Sequence, residues 1–183
     1  MAVENEHPTE RALSFAQLPE SLEGRRVLEV GPIGGGREFL AGLGATDFLT
    51  VEKPSEEAGL ERGAFDLVIC GSDLSTDLHP LALYAWLRRA IKPEGILVAG
   101  SRVLTDPTHS QYARFLPPQG PGETARWLPG RLAFRWMVEV SGFDLVDWLG
   151  DRADGDSGDR AYLQAKAVER APSLDLERQP LGR

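Results

Sequence analysis

Gly31, Gly34, Gly35 and Gly36, followed 21 residues after the first by Glu52, are the residues of this chain best suited to holding a nucleotide. Glycine tolerates positive φ and has no Cβ, so a ligand can approach the backbone where a helix begins. A carboxylate at that interval suits hydrogen bonding to a pair of ribose hydroxyls. An ordinary tight turn and a solvated strand end are the plain alternatives for the glycines and the acid. For proton transfer the candidates are His109 and Tyr112, weighed against a simple exposed-loop role. His79 directly precedes Pro80 at a helix start, where capping or packing outranks base chemistry. Cys70 lies within the apolar run Leu67 to Cys70, which makes it a small core residue rather than a nucleophile. The acidic stretch Asp151 to Asp159 lacks the ordered spacing and terminal Glu of a calcium loop, so no metal site is expected there.

These residues need a frame. Val27, Leu28 and Val30 form a short apolar run closed by Gly31, as in a parallel strand covered on both faces. Phe39, Leu40 and Leu43 then recur at helical spacing, with Gly44 placed to stop the helix. Leu49 to Val51 predicts a second strand and Phe65 to Cys70 a buried one, followed by the polar loop GSDLSTDLHP. A helix from Pro80 with Leu83, Leu87 and Ile91 inward leads to a strand at Ile96 to Ala99. Residues 101 to 130, rich in proline and aromatics, read as an irregular lid or substrate-facing segment, and Trp127 as its anchor to the core or as a cover for a ligand. Leu132, Trp136 and Val140 suggest a further helix ending near Gly142. Phe143 to Leu149 and Ala161 to Val168 are close enough in sequence to pair antiparallel. The expectation is one α/β domain over residues 21–170, its sheet mostly parallel with a C-terminal antiparallel hairpin. Residues 1–20 and 171–183 read as flexible by composition.

Bulk properties narrow the function. A chain of 183 residues that is 42% apolar supports one well-buried core. Twenty Lys and Arg against 28 Asp and Glu give a net charge of −8, hence no global field for nucleic acid or an anionic membrane. Locally, Arg102, Arg114, Arg126, Arg131 and Arg135 outnumber Asp106 and Glu123, a surplus that either receives an anionic acceptor or is solvated. A single cysteine, no leader-like start and no membrane-length apolar run make a reducing cytoplasm the default.

The terminal hairpin, preceded by the small residue and GF of EVSGFDLVDW, resembles the layout of class I S-adenosylmethionine-dependent methyltransferases. Glu29 and Gly31 match the family's acid-x-Gly pattern on strand one. LEGRRVLEVG, GLGAT, FDLVIC, LHPLALYAWLRRAIKPEGILVAGS and RWLPG follow in the expected order. The spacing of Gly31 and Gly35 is similar to the branch that includes tRNA wobble-uridine methyltransferase-like proteins, although Ile33 stands where many relatives have glycine. The resemblance implies S-adenosylmethionine as cofactor. Glu29, Gly31 and Gly35 would line its methionine and ribose side, Glu52 would take the ribose hydroxyls, and Ser72 and Asp73 would lie near the reacting methyl. Asp73 thereby joins His109 and Tyr112 as a candidate catalytic group.

Three departures bear on activity. Phe65 follows Glu52 by only 13 positions, where the family fits a helix, a third strand and an adenine contact. The adenine side is then missing, rebuilt from elsewhere or supplied by a partner chain. Ser75 and Thr76 stand where that branch commonly has a Tyr-His pair, and Glu94 replaces a usual glycine. Methyl transfer to a small, anionic or neutral, oxygen or nitrogen acceptor is the leading expectation. A non-catalytic methyltransferase-like interaction or regulatory protein is second, and a nicotinamide oxidoreductase, which generally lacks the hairpin, is third.

Overall fold

A computed structural model of the chain describes residues 8–31, 34, 36–52, 60–71, 79–117, 126–153 and 159–169. Four strands run parallel in the order β2 (Asp47–Val51), β1 (Arg26–Val30), β3 (Phe65–Cys70) and β4 (Ile91–Val103). A long antiparallel hairpin completes the six-stranded sheet: β8 (Asp159–Ala167) lies against β4, and β7 (Phe143–Ala153) against β8. The α/β fold, mostly parallel with a terminal hairpin, is therefore as the sequence pattern predicts. β2 is the last strand on its side among the described residues, and residues 53–59, where the shortened connection falls, lie outside them.

Successive strand residues serve opposite faces, which accounts for the continuous apolar runs. Leu28, Val30, Val68 and Leu97 pack against Leu83 and Leu87 of α3 (Pro80–Ala90) and Phe134 and Val138 of α4 (Arg131–Val140). Val27, Leu67, Ile69 and Val98 cover the other face, with Leu13 of α1 (Pro8–Phe15) and Leu40 of α2 (Gly36–Gly42). Gly44, at φ +91°, ends α2 by donating its N–H to the carbonyl of Ala41.

Two sequence expectations differ from the structure, and in a third element the buried face is one the sequence did not single out. The segment read as flexible before residue 20 contains α1, whose Ala12 and Leu13 are buried. Just after it, the amide of the buried Gln164 accepts from the N–H of Gln17 at 2.7 Å and donates to its carbonyl at 3.2 Å. An eight-residue helix is too short to announce itself by composition. Its order comes from tertiary burial. In α4, the buried stripe is Ala133, Phe134 and Val138, while Trp136 is half exposed. The stretch read as irregular also has structure: β4 continues to Val103, a 3-10 turn covers Pro107–His109, and β5 (Ala113–Leu116) pairs with β6 (Arg126–Pro129) as an antiparallel ribbon.

Candidate active site at the carboxyl edge

Strand order reverses between β1 and β3, and the crevice outside the carboxyl ends at such a point is the usual ligand position of open α/β sheets. The end of β1 is fastened there to both of its neighbours, β2 and β3. Gly31 donates its N–H to the carbonyl of Val51 and Gly71 donates to that of Val30, both at 2.9 Å. Gly31, at φ +70°, occupies a conformation that side chains rarely adopt, and Gly34 follows at φ +54°. Glu52 is exposed directly after the last residue of β2. Gly31 and Glu52 thus share the carboxyl edge. Gly35, Ser72 and Asp73 lie outside the described residues.

Glu29 has a different setting. It is only 2% exposed, and its carboxylate is already engaged within the chain. Arg37 spans it, with Nε 3.2 Å from Oε1 and Nη2 2.6 Å from Oε2, while the hydroxyl of Thr50 donates to Oε2 at 2.7 Å. The same Nη2 donates to Thr50 Oγ1 at 2.7 Å, and the guanidinium stacks 4.9 Å from the Phe48 ring centroid. Hydrogen bonding and charge from Glu29 raise the Arg37 pKa. Glu29 therefore ties β1, α2 and β2 together around the glycine turn. Arg37 and Thr50 went unnoticed in the sequence. The readable signals were an Arg one residue into the helix after the glycines and a Thr set opposite Glu29 by the parallel register.

The chain leaving β4 on this same edge builds a second group. Asp106 caps the 3-10 turn: its Oδ1 accepts from the Thr108 N–H at 2.9 Å and hydroxyl at 2.6 Å, and its Oδ2 is 3.1 Å from Nδ1 of His109. The Thr108 hydroxyl and N–H, then the nearby His109, hold the Asp106 carboxyl below its ordinary range, outweighing a smaller opposing effect of desolvation. An ionised carboxylate only accepts, so Nδ1 carries the proton and neutral His109 has its lone pair on Nε2. The rings of His109 and Tyr112 meet edge to face with centroids 6.4 Å apart. The sequence candidates His109 and Tyr112 are thus brought together. Asp106 was counted there only as a charge, although Asp-x-x-His signals such a pair.

The turn is held against Gly130. Gly130 donates to the Tyr112 carbonyl at 2.7 Å, Ala133 donates to that of Ser110 at 3.0 Å, and a Cβ on Gly130 would overlap the carbonyl oxygen of His109. Two members of the arginine surplus are occupied: Arg135 pairs with Glu139 at 2.7 Å, and Arg131 lies 4.7 Å from the Trp148 ring centroid. Cys70 is buried, and His79 precedes α3 without a side-chain cap bond to it. Among the described residues no group of His, Cys, Asp and Glu is arranged to hold a metal ion, and no helix is long and apolar enough to cross a membrane.

No family model matches the sequence, and no curated protein matches it. Solved structures do. A Burkholderia thailandensis 1,6-didemethyltoxoflavin-N1-methyltransferase, solved with 1,6-didemethyltoxoflavin and S-adenosylhomocysteine, superposes with a TM-score of 0.63 at 14% identity, over 88% of this chain and 78% of that one. An S-adenosylmethionine-dependent methyltransferase from Mesorhizobium loti gives 0.59 at 16% identity, over 87% and 96%. The [4+2]-cyclase SpnF gives 0.56 at 14%, over 90% and 86%. At such identities the likeness shows the fold alone. The chain has the Rossmann-like fold of the S-adenosylmethionine-dependent class I methyltransferases.

Proposed function

We propose that this chain binds S-adenosylmethionine in the crevice between β1 and β3 and transfers its methyl to a small-molecule oxygen or nitrogen acceptor. The supporting observation is that Gly31, at positive φ where β1 ends beside the strand-order reversal, shares the carboxyl edge with the exposed carboxylate of Glu52. Gly31 and Gly35 would hold the cofactor through backbone, with Glu52 on the ribose hydroxyls and Ser72 and Asp73 near the methyl. Glu29 acts one step back, holding the turn through Arg37 and Thr50. The cofactor supplies an electrophilic methyl on a sulfonium sulfur. The protein's part is to align the acceptor and, where the acceptor is protonated, to remove its proton. His109 Nε2 serves that purpose, with Tyr112 beside it.

A small acceptor is favoured over tRNA. Net charge is −8, and Ser75 and Thr76 replace the Tyr-His pair of the wobble-uridine branch. With Arg131 and Arg135 occupied, an anionic acceptor would rely on the exposed Arg114. A partner chain completing the adenine side beyond Glu52 belongs to the same reading, as does a cytoplasmic location inferred from the single cysteine.

Calorimetric titration of S-adenosylhomocysteine into the purified chain tests the reading, with Gly31→Arg and Glu52→Ala as controls. Saturable binding weakened by both substitutions supports it. No binding to a folded protein overturns it in favour of an interaction protein.

A further inference from the structure

We infer that the β5–β6 ribbon carries the acceptor platform and that its occupant is a flat aromatic or heteroaromatic ring. The inference deepens the methyltransferase reading and relies on it only for what the bound ring then receives.

Phe115 and Trp127 are direct cross-strand partners, their ring centroids 5.2 Å apart and their planes inclined by 59°. Cross-strand aromatic pairs ordinarily bury each other against a sheet. Among the described residues the ribbon has two strands, and Phe115 stays 48% exposed and Tyr112 63%. Two strands alone are marginally stable in water, so this ribbon depends on its foot. That foot is firmly built: Leu104 donates to the Pro129 carbonyl at 2.8 Å and Gly130 to that of Tyr112 at 2.7 Å, with no room for a side chain at Gly130.

A fixed base carrying the exposed Phe115 ring beside the partly buried Trp127 is the arrangement of a binding surface rather than of a loop collapsed on the core. Two rings inclined at 59° offer a flat ligand one face to stack on and one edge to meet, both favourable aromatic geometries. By strand alternation Arg114 and Leu116 fall on the opposite side from Phe115, leaving the ring-bearing side apolar. Polar recognition then falls to the foot, where Asp106 and His109 lie. The ribbon also leaves β4 on the same edge of the sheet as Gly31 and Gly71.

The experiment compares 2-naphthol with decahydro-2-naphthol, which keeps the size and hydroxyl but lacks the π faces. Binding of each to the full chain is measured by saturation-transfer NMR and calorimetry, with and without S-adenosylhomocysteine. The aromatic alcohol is expected to bind saturably and about tenfold more tightly than its saturated counterpart. Phe115→Leu and Trp127→Leu, each checked for folding by thermal denaturation, are expected to abolish most of that preference. Equal binding of the two alcohols, no saturable naphthol binding, or a preference unchanged by both substitutions overturns the inference. Naphthol binding as expected without any S-adenosylhomocysteine binding supports the platform and removes the methyl-transfer reading. The opposite pattern removes the platform alone.

Discussion

The guanidinium of Arg37 grips the buried carboxylate of Glu29 at both oxygens, Nε to Oε1 and Nη2 to Oε2. A buried carboxylate stripped of its cation is far costlier than one never charged. Arg37→Met is therefore expected to lower the melting temperature by about 5 °C or more, whereas Glu29→Gln with Arg37→Met loses less. Arg37→Lys restores little, because a single ammonium cannot present the two-pronged fork. Thermal denaturation of the four proteins checks this. Equal melting temperatures for the single and double variants would show that Glu29 does not depend on its partner.

Gly130 predicts a steric effect. A Cβ there would lie 2.6 Å from both Cα and the carbonyl carbon of Ser110, backbone atoms that cannot swing aside. Gly130→Ala should cost about 1–3 kcal/mol in urea unfolding. Gly24, with open space around its Cβ position but φ +69°, provides a contrast in which only backbone strain acts. Gly24→Ala should cost about 1 kcal/mol.

The sheet was legible because each strand is an apolar run bounded by glycine or polar turns, and the hairpin because its halves are long and close in sequence. The faces of α4 were not. Leu132, Trp136 and Val140 repeat at four-residue spacing, and so do Phe134 and Val138; helical period fixes the stripe's existence but not which of two offset stripes faces the sheet. Phe134, fully buried, should cost about 3–5 kcal/mol on truncation to alanine in urea unfolding, against less than about 1 kcal/mol for the half-exposed Trp136. In the site, glycine and acid spacing pointed to the crevice, but Glu29's occupation by Arg37 and Thr50 is a tertiary contact between three elements. No single-chain pattern separates a carboxylate that meets a ligand from one that meets its own arginine.

Asp66 provides a pH test at the amino end of the sheet, away from the candidate site. Burial pushes its pKa up, but hydrogen bonds from Lys92 Nζ at 2.8 Å and the Arg26 N–H at 3.0 Å, with the charges of Lys92 and Arg25, leave it lowered overall. A carboxyl with a folded pKa below its unfolded value stabilises above the unfolded value, about 3.9, and loses that contribution as pH falls through the folded one. Wild-type stability should therefore decline below about pH 4 more steeply than that of Asp66→Asn. Urea midpoints measured from pH 6 downward decide the point, and parallel curves would mean that the Lys92 contact does not persist in solution.

Asp106 and His109 predict a change of proton position. In Asp106→Asn, the amide oxygen can still accept from Thr108, which turns the amide nitrogen toward His109 Nδ1. A donor facing Nδ1 requires that atom to be bare, so the imidazole proton moves to Nε2 and the outward lone pair disappears. The ¹⁵N shifts of the His109 ring should report this tautomer exchange. S-adenosylhomocysteine affinity should not change. Once an acceptor is in hand, methyl transfer to a protonated oxygen or nitrogen should fall by about a hundredfold or more in Asp106→Asn and in His109→Gln alike, the range associated with loss of a general base. Transfer unaffected in both, with the tautomer exchanged as expected, would leave the dyad as a turn-capping device and pass the base role to another group.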